Sequence, residues 1–310
     1  MSASIAAPTP MRRVRPPAKP RKRAPWRDPT GKVSALKIVT LILVILPGLY
    51  LALAWQQGAL GARYVTEAER ELGEWTIWLL LLSLAVTPAR FVLEWPRVVL
   101  IRRMLGVTTA CYVLIHLSIY ALDQKWRIGV VASEIVLRFY LTIGFIAVCL
   151  LVAMALSSTD ASMRRMGRSW KVLHRVIYFV AVLGLLHYLL QSKSDISAPT
   201  VAVGWFVWLM LWRVLPRSWR SRLWVLPLLG IAATLFTAGF EAAWYSIASH
   251  SDPMRVLAAN LDVSYEFRPA VRVAIWGAAV FVVAALRRIY PLITRPRQAA
   301  RSSLTPAAST

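Results

Sequence analysis

Eight runs of apolar residues, each about long enough to cross a bilayer, constrain this 310-residue chain more than any other feature. They fall at roughly 38–56, 75–93, 105–122, 138–156, 171–190, 199–215, 223–245 and 270–290. Lipid offers the backbone no hydrogen-bond partner, so each run predicts a helix, and together they predict an all-α, polytopic membrane helix bundle of about eight transmembrane helices. Pro227 and Gly230 inside the seventh run predict a kink or a late start there. The chain is 58% hydrophobic yet carries 37 Lys and Arg against 14 Asp and Glu. A soluble domain of that make-up would expose large apolar patches, whereas here the charges gather between the apolar runs. The basic clusters are short and no basic soluble domain holds them, which argues for membrane lipid and against nucleic acid as their partner.

Residues 1–37, rich in Pro, Ala, Arg and Lys, read as a disordered basic arm, and residues 291–310 as a disordered tail. The first apolar run comes late and no small-residue cleavage site follows it, which argues against a cleavable signal peptide. About 28 of the cationic residues lie in the arm, the tail and alternate connections, and about 9 in the others. The cation-poor connections also hold Glu67, Glu69, Glu71, Glu74, Asp123, Asp195, Asp252, Asp262 and Glu266. The positive-inside rule then places both termini in the cytoplasm, as an even number of spans requires. Cys111 and Cys149 lie in apolar runs without a CxxC or CxxCH pattern and read as small buried hydrophobes.

Three of the four histidines fall inside or at the edge of spans, where an ionisable side chain is a functional hypothesis by default. His116 lies seven residues before Asp123 at the outer end of the third span, and His187 six before Lys193 at the outer end of the fifth. At about 1.5 Å per residue the two imidazoles share a depth in the outer half of the bilayer. Two histidines on different helices at one depth suit the axial positions of a single b haem. Gly184, three residues before His187, removes a side chain from the face a flat porphyrin would meet. A lone histidine in such a helix also serves as an interhelical donor, but the matched depth favours ligation. His174 lies thirteen residues before His187, about 20 Å nearer the cytoplasm and turned by about 140° on an ideal helix. It reads equally as a second-haem ligand with a non-histidine partner, as a flavin or quinone contact, or as a cap at the helix entrance beside Trp170 and Arg175. His250 reads as a solvated loop residue. Haem propionates at the level of the His116–His187 pair would want a cation, for which Arg138 at the outer start of the fourth span is the candidate; its alternative is a snorkelling anchor.

The segments RRMLGVTTACYVLIHLSIY (102–120), RFYLTIG (138–144) and MGRSWKVLHRVIYFVAVLGLLHYLLQSK (166–193) resemble the successive signatures of the MsrQ family, within the ferric-reductase-like transmembrane superfamily. GALGARYVTEAERELGEWTIWLLLLSLAVTPAR (58–90) is similar to that family's first outer loop and second helix. The resemblance covers about residues 38–215 and implies a six-helix ferric-reductase-like core over that range, to which residues 216–290 add two helices and an outer loop. It implies an inner-membrane subunit that binds haem b, one or two per chain, with FMN also associated. Electrons would come from the quinone pool or a cytosolic flavin reductase and pass to MsrP, a periplasmic molybdopterin enzyme that reduces methionine sulfoxide in oxidised proteins. His116, His174 and His187 fall on the three family positions. The acidic TEAERELGEW stretch departs from the His-containing segment common in the family, which bears on partner docking.

The mechanism implied is electron relay, with no residue acting as acid or base, so the chain is an electron-transfer subunit rather than the catalytic one. The arginines at 97, 102, 103, 164, 165 and 168 read as topology and lipid determinants, and no flavin residue is assigned. A ferric-reductase-like protein reducing metal or oxygen is the first rival, against which no flavin and nicotinamide domain is expected after residue 290. A proton-coupled transporter is the second, against which neither a repeat of the two halves nor paired broken helices is seen.

Overall fold

The computed structural model describes residues 24, 26–28, 30–192, 195–262 and 266–294. Among these residues the chain is helical apart from short connections and one isolated bridge between Arg27 and Val33. Eight helices, or pairs of them, are long and apolar enough to cross a membrane. They are α1 (Ala35–Gln56), α2 (Tyr64–Val92), α3 (Arg102–Asp123, led in by a 3₁₀ turn from Pro96), α5 (Phe139–Leu156), α7 with α8 (Arg168–Arg175 and Ile177–Gln191), α9 (Ser197–Val214), α10 (Val225–Ser249) and α12 (Pro269–Thr294). Three short helices lie in the connections: α4 (Ile128–Leu137), α6 (Asp160–Met166) and α11 (Pro253–Ala259). Eight such crossings would put the start of α1 and the end of α12 on one side, here called the terminal side; the opposite face is the far side.

Several boundaries differ from those the hydropathy predicts. The second helix begins at Tyr64 rather than near residue 75, so Glu67, Glu69, Glu71 and Glu74 sit on helical turns and not in a loop. The stretch TEAERELGEW is made of good helix formers, and Glu67 in the first turn meets the positive end of the helix dipole. Pro227 falls in the first turn of α10, where its missing N–H is one the helix leaves unbonded anyway, which accounts for the start at Val225. The fifth crossing is not one ideal helix: Val176 N–H bonds to Leu173 O, one residue tighter than the α-pattern. The angle between His174 and His187 therefore cannot be taken from ideal helical geometry. Within the basic arm the described residues 26–28 and 30–33 make a turn, with Asp28 Oδ1 accepting from the N–H groups of Thr30 at 2.9 Å and Lys32 at 3.0 Å. Residues 1–23, 25 and 29 of the arm and residues 295–310 of the tail lie outside the described residues. Cys111 and Cys149 are exposed and not buried. The outer surface of a span meets hydrocarbon, which a small apolar thiol enters as readily as a protein core.

Two apolar clusters organise the bundle. The larger joins α2, α5, α8, α9, α10 and α12 around Leu84, Leu151, Val180, Trp208, Trp212, Leu226 and Val273. The smaller joins α1, α2 and α3 around Val44, Leu51, Leu72, Leu79, Leu105 and Tyr112. Tyr112 fixes α3 with more than packing: its O–H donates to Val44 O at 2.7 Å and accepts from Gly48 N–H at 2.9 Å. The hydroxyl thus bridges an i→i−4 pair of α1 next to Pro47, where the helix ladder is already weakened. One turn along the same helix, α3 presents His116.

Candidate functional site

His116, on α3, and His187, on α8, both lie near the far-side ends of helices that run from the terminal side outward. Each docks on an antiparallel neighbour close to that neighbour's first turns. His116 Nδ1 donates to the carbonyl of Glu69 on α2 at 2.8 Å, and His187 Nδ1 donates to the carbonyl of Tyr140 on α5 at 2.8 Å. A carbonyl only accepts, so each Nδ1 carries the proton and each neutral ring keeps its lone pair on Nε2. Among the described residues neither Nε2 receives a hydrogen bond. The two ring centroids stand 6.5 Å apart with planes at 82°.

Both rings line a cavity of about 200 Å³. Ile77, Leu80, Val113, Leu141 and Leu151 make most of its wall apolar, and Glu69, Arg70, Glu74 and Asp195 give it a charged rim toward the far side. Glu74 accepts from Trp78 Nε1–H at 3.2 Å. Asp195 Oδ1 accepts from the Ser197 N–H at 2.9 Å, and that bond holds its carboxyl below the usual range.

Two imidazoles sharing one metal, each bonded at about 2 Å as imidazole–metal bonds generally are, would have centroids a little over 6 Å apart. The observed separation matches that spacing. No group of three or more His, Cys, Asp or Glu able to enclose a bare ion occurs among the described residues. The donor set therefore fits a planar chelate that brings its own in-plane ligands, which Nε2 of His116 and His187 would hold within the apolar lining.

The other sequence candidates lie elsewhere. His174, on α7, stacks on Trp170 at 3.8 Å, donates Nδ1–H to Trp170 O at 3.0 Å and has Nε2 3.2 Å from Ser158 Oγ. Both of its nitrogens thus already have protein partners, at the terminal-side end of the bundle. Arg138 is ion-paired with Glu134 and donates to Tyr140 Oη at 3.1 Å. It lies outside the cavity lining, whereas Arg70, which the sequence reading passed over, lies within it. His250 is exposed at the left-handed cap of α10. Gly184 lines the cavity, where a Cβ would come 3.0 Å from Ile77 Cδ1.

Gly73 and Gly144 were missed. A Cβ at 73 would sit 3.1 Å from His116 Cε1, and one at 144 would sit 2.7 Å from His187 Nδ1. A signal for both exists in the numbering: carbonyl and histidine are separated by 47 residues in each pair. Glu69, Gly73 and His116 map onto Tyr140, Gly144 and His187 by one constant offset, a local repeat without matching residue types around it.

The chain matches the family model of the ferric reductase like transmembrane component over residues 72–185. It is similar to the protein-methionine-sulfoxide reductase heme-binding subunit MsrQ of Rhodospirillum rubrum, 39% identical over 188 residues, which is 60% of this chain and 90% of that one. The subunit of the same name from Caulobacter vibrioides is 40% identical over 174 residues, 55% of this chain and 81% of the relative. That from Deinococcus radiodurans is 39% identical over 160 residues, 51% and 79% respectively. No solved structure matches.

Proposed function

The chain belongs to the MsrQ family of haem-binding subunits of protein-methionine-sulfoxide reductase, and from that membership we propose that it relays electrons across the bacterial inner membrane to a periplasmic molybdopterin reductase, MsrP. The donor in this reading is the quinone pool or a cytosolic flavin reductase, and the outcome is repair of oxidised methionines in periplasmic proteins. Both termini are cytoplasmic, so the charged rim of the cavity faces the periplasm. The three relatives named match 51–60% of the chain, which supports reading residues 38–215 as the haem-binding core and 216–290 as an addition to it.

The observations that support the reading are that His116 and His187 line one largely apolar cavity with ring centroids 6.5 Å apart, and that each Nδ1–H is tied to a backbone carbonyl, which leaves each Nε2 lone pair available to a ligand. Haem b bound there supplies reversible one-electron chemistry. The protein's own contribution is to fix the ligand tautomer, orient both rings and keep water out of the slot. Arg70 at the rim and Arg138 beside it are the cations available to carboxylates at that level. His174 stands as a contact for a second haem or another cofactor on the cytoplasmic side, reached by exchange of its Ser158 bond. FMN enters from the family alone, and no residue is assigned to it.

The test is the reduced-minus-oxidised spectrum with pyridine-haemochrome quantification for the purified protein and for His116→Ala, His174→Ala and His187→Ala. A low-spin b-type signal that disappears in the 116 and 187 variants is expected. A wild-type protein without haem after haem-replete expression overturns the proposal.

A further inference from the structure

We propose that Gly73 and Gly144 are the positioning residues that hold the two axial imidazoles crosswise, each by leaving bare the patch of helix backbone on which one ring is seated. The inference rests on the haem reading above and adds to it what sets ligand orientation.

In a helix the side chain of a residue leans back over the preceding turn, so the carbonyl of residue i is covered in part by the side chain at i+4. For His116 to reach Glu69 O and His187 to reach Tyr140 O, the positions four residues on must be bare. Those positions are Gly73 and Gly144. The fit is close in both: a Cβ at 73 would lie 3.1 Å from Cε1 and 3.3 Å from Nδ1 of His116, and one at 144 would lie 2.7, 2.9 and 3.1 Å from Nδ1, Cε1 and Cγ of His187. The second set is closer than real Cβ contacts come, so an alanine there must displace the ring or separate the helices. The first is merely tight and asks for a shift of a few tenths of an ångström.

The two cradles are built alike yet attached to different helix pairs, and their rings end at 82° to one another. Near-perpendicular axial imidazoles leave the two iron π-orbitals almost degenerate, which gives ferric low-spin haem a strongly anisotropic resonance at low field. Parallel planes split those orbitals and give the ordinary rhombic three-line spectrum. The carbonyl bond also raises the basicity of each imidazole and favours the ferric state. A ring that loses it raises the midpoint potential.

The experiment is electron paramagnetic resonance and potentiometric titration of the haem-loaded full chain, for wild type, Gly144→Ala, Gly73→Ala and Gly106→Ala. Gly106 lies on the His116 helix with open space around it and serves as the control. The expected results are a low-field anisotropic signal in wild type and in Gly106→Ala, its loss with a raised potential in Gly144→Ala, and a smaller shift of both in Gly73→Ala. Should Gly144→Ala not assemble, Gly73→Ala carries the test alone. A rhombic wild-type signal, or glycine variants with unchanged signal and potential, overturns the crosswise seating while the haem assignment stands. A wild type that holds no haem overturns both.

Discussion

The helices around the cavity and the three-helix unit formed by α9, α10 and α12 use the same devices to opposite ends. Around the cavity, bare glycine positions let a side chain reach a neighbouring backbone, and the hydrogen bond formed uses only half of each imidazole. In the C-terminal unit the close approach is backbone to backbone: a Cβ on Gly277 of α12 would meet Gly230 Cα of α10 at 3.2 Å. One set of its buried polar groups closes on itself, while Thr200 Oγ1 and Trp208 Nε1 of α9 have no hydrogen-bond partner among the described residues. Glu241, fully buried on α10, pairs with Arg268 at 3.0 Å and accepts from Asn260 Nδ2 at 2.9 Å. At the terminal side Arg288 of α12 pairs with Glu94 at 3.3 Å and donates to the carbonyls of Val92 and Ser221. Around the cavity each imidazole keeps one nitrogen without a hydrogen bond, and in the C-terminal unit the charged groups are joined as clasps at both ends. A buried polar group in a membrane bundle is thus read by what its second valence does, not by its burial.

That contrast can be broken most directly at the ligands. His116→Ala and His187→Ala should each cost more haem than the roughly 10- to 100-fold in affinity that loss of an outer-shell partner costs, with protein yield little changed, as haemochrome content per chain would record. In the C-terminal unit the reverse pattern is expected. Arg268→Ala leaves the Glu241 carboxylate buried without its counter-ion and should cost about 3–5 kcal/mol in a detergent unfolding titration, while the haem spectrum of the folded fraction stays that of wild type. If the spectrum moved with it, the two regions would be one cooperative unit and the distinction would fall. Gly277→Ala overpacks the α10–α12 crossing and should cost about 1–3 kcal/mol by the same titration, again with the spectrum intact. His174→Ala should keep the signal of the His116–His187 pair, and a halved total haem would reveal a second site at its end of the bundle. The smallest effect is expected at the rim: Arg70→Ala should lower the midpoint potential slightly by removing a cation that lines the cavity and is paired only at 3.8 Å with the exposed Glu67, and Arg138→Ala should lower it less, since it lies outside the lining and Glu134 pairs with it closely.

The rim also shows where the sequence reading stopped short. Arg138 was chosen because its position along the chain gave it the right depth, and depth is what hydropathy reports. Arg70 falls outside the apolar runs because the charged stretch around it is not apolar. It is helical nonetheless, since helix propensity and the dipole at Tyr64–Glu67 outweigh the absence of hydrophobicity once the segment leaves the lipid. Gly184 was legible as a small residue beside a histidine on one helix. Gly73 and Gly144 were not, because each matters to a histidine on a different helix. The Glu241–Arg268–Asn260 clasp was invisible for the same reason, its three members being drawn from α10, the end of α11 and the approach to α12.

By itself the sequence determined the eight apolar helices long enough to cross a membrane among the described residues, the gathering of charge between them, and the matched positions of His116 and His187 along their helices. All three are distances along a single axis, from lipid to water, and the hydropathy and rise of each helix fix them independently of its neighbours. Only the tertiary structure decided which backbone carbonyl seats each imidazole, how the rings cross, and which glycines make room. Within the bilayer a helix face meeting lipid and one meeting another helix are equally apolar, so lateral arrangement and rotation come from close packing and interhelical hydrogen bonds, and these exist only once the helices have assembled.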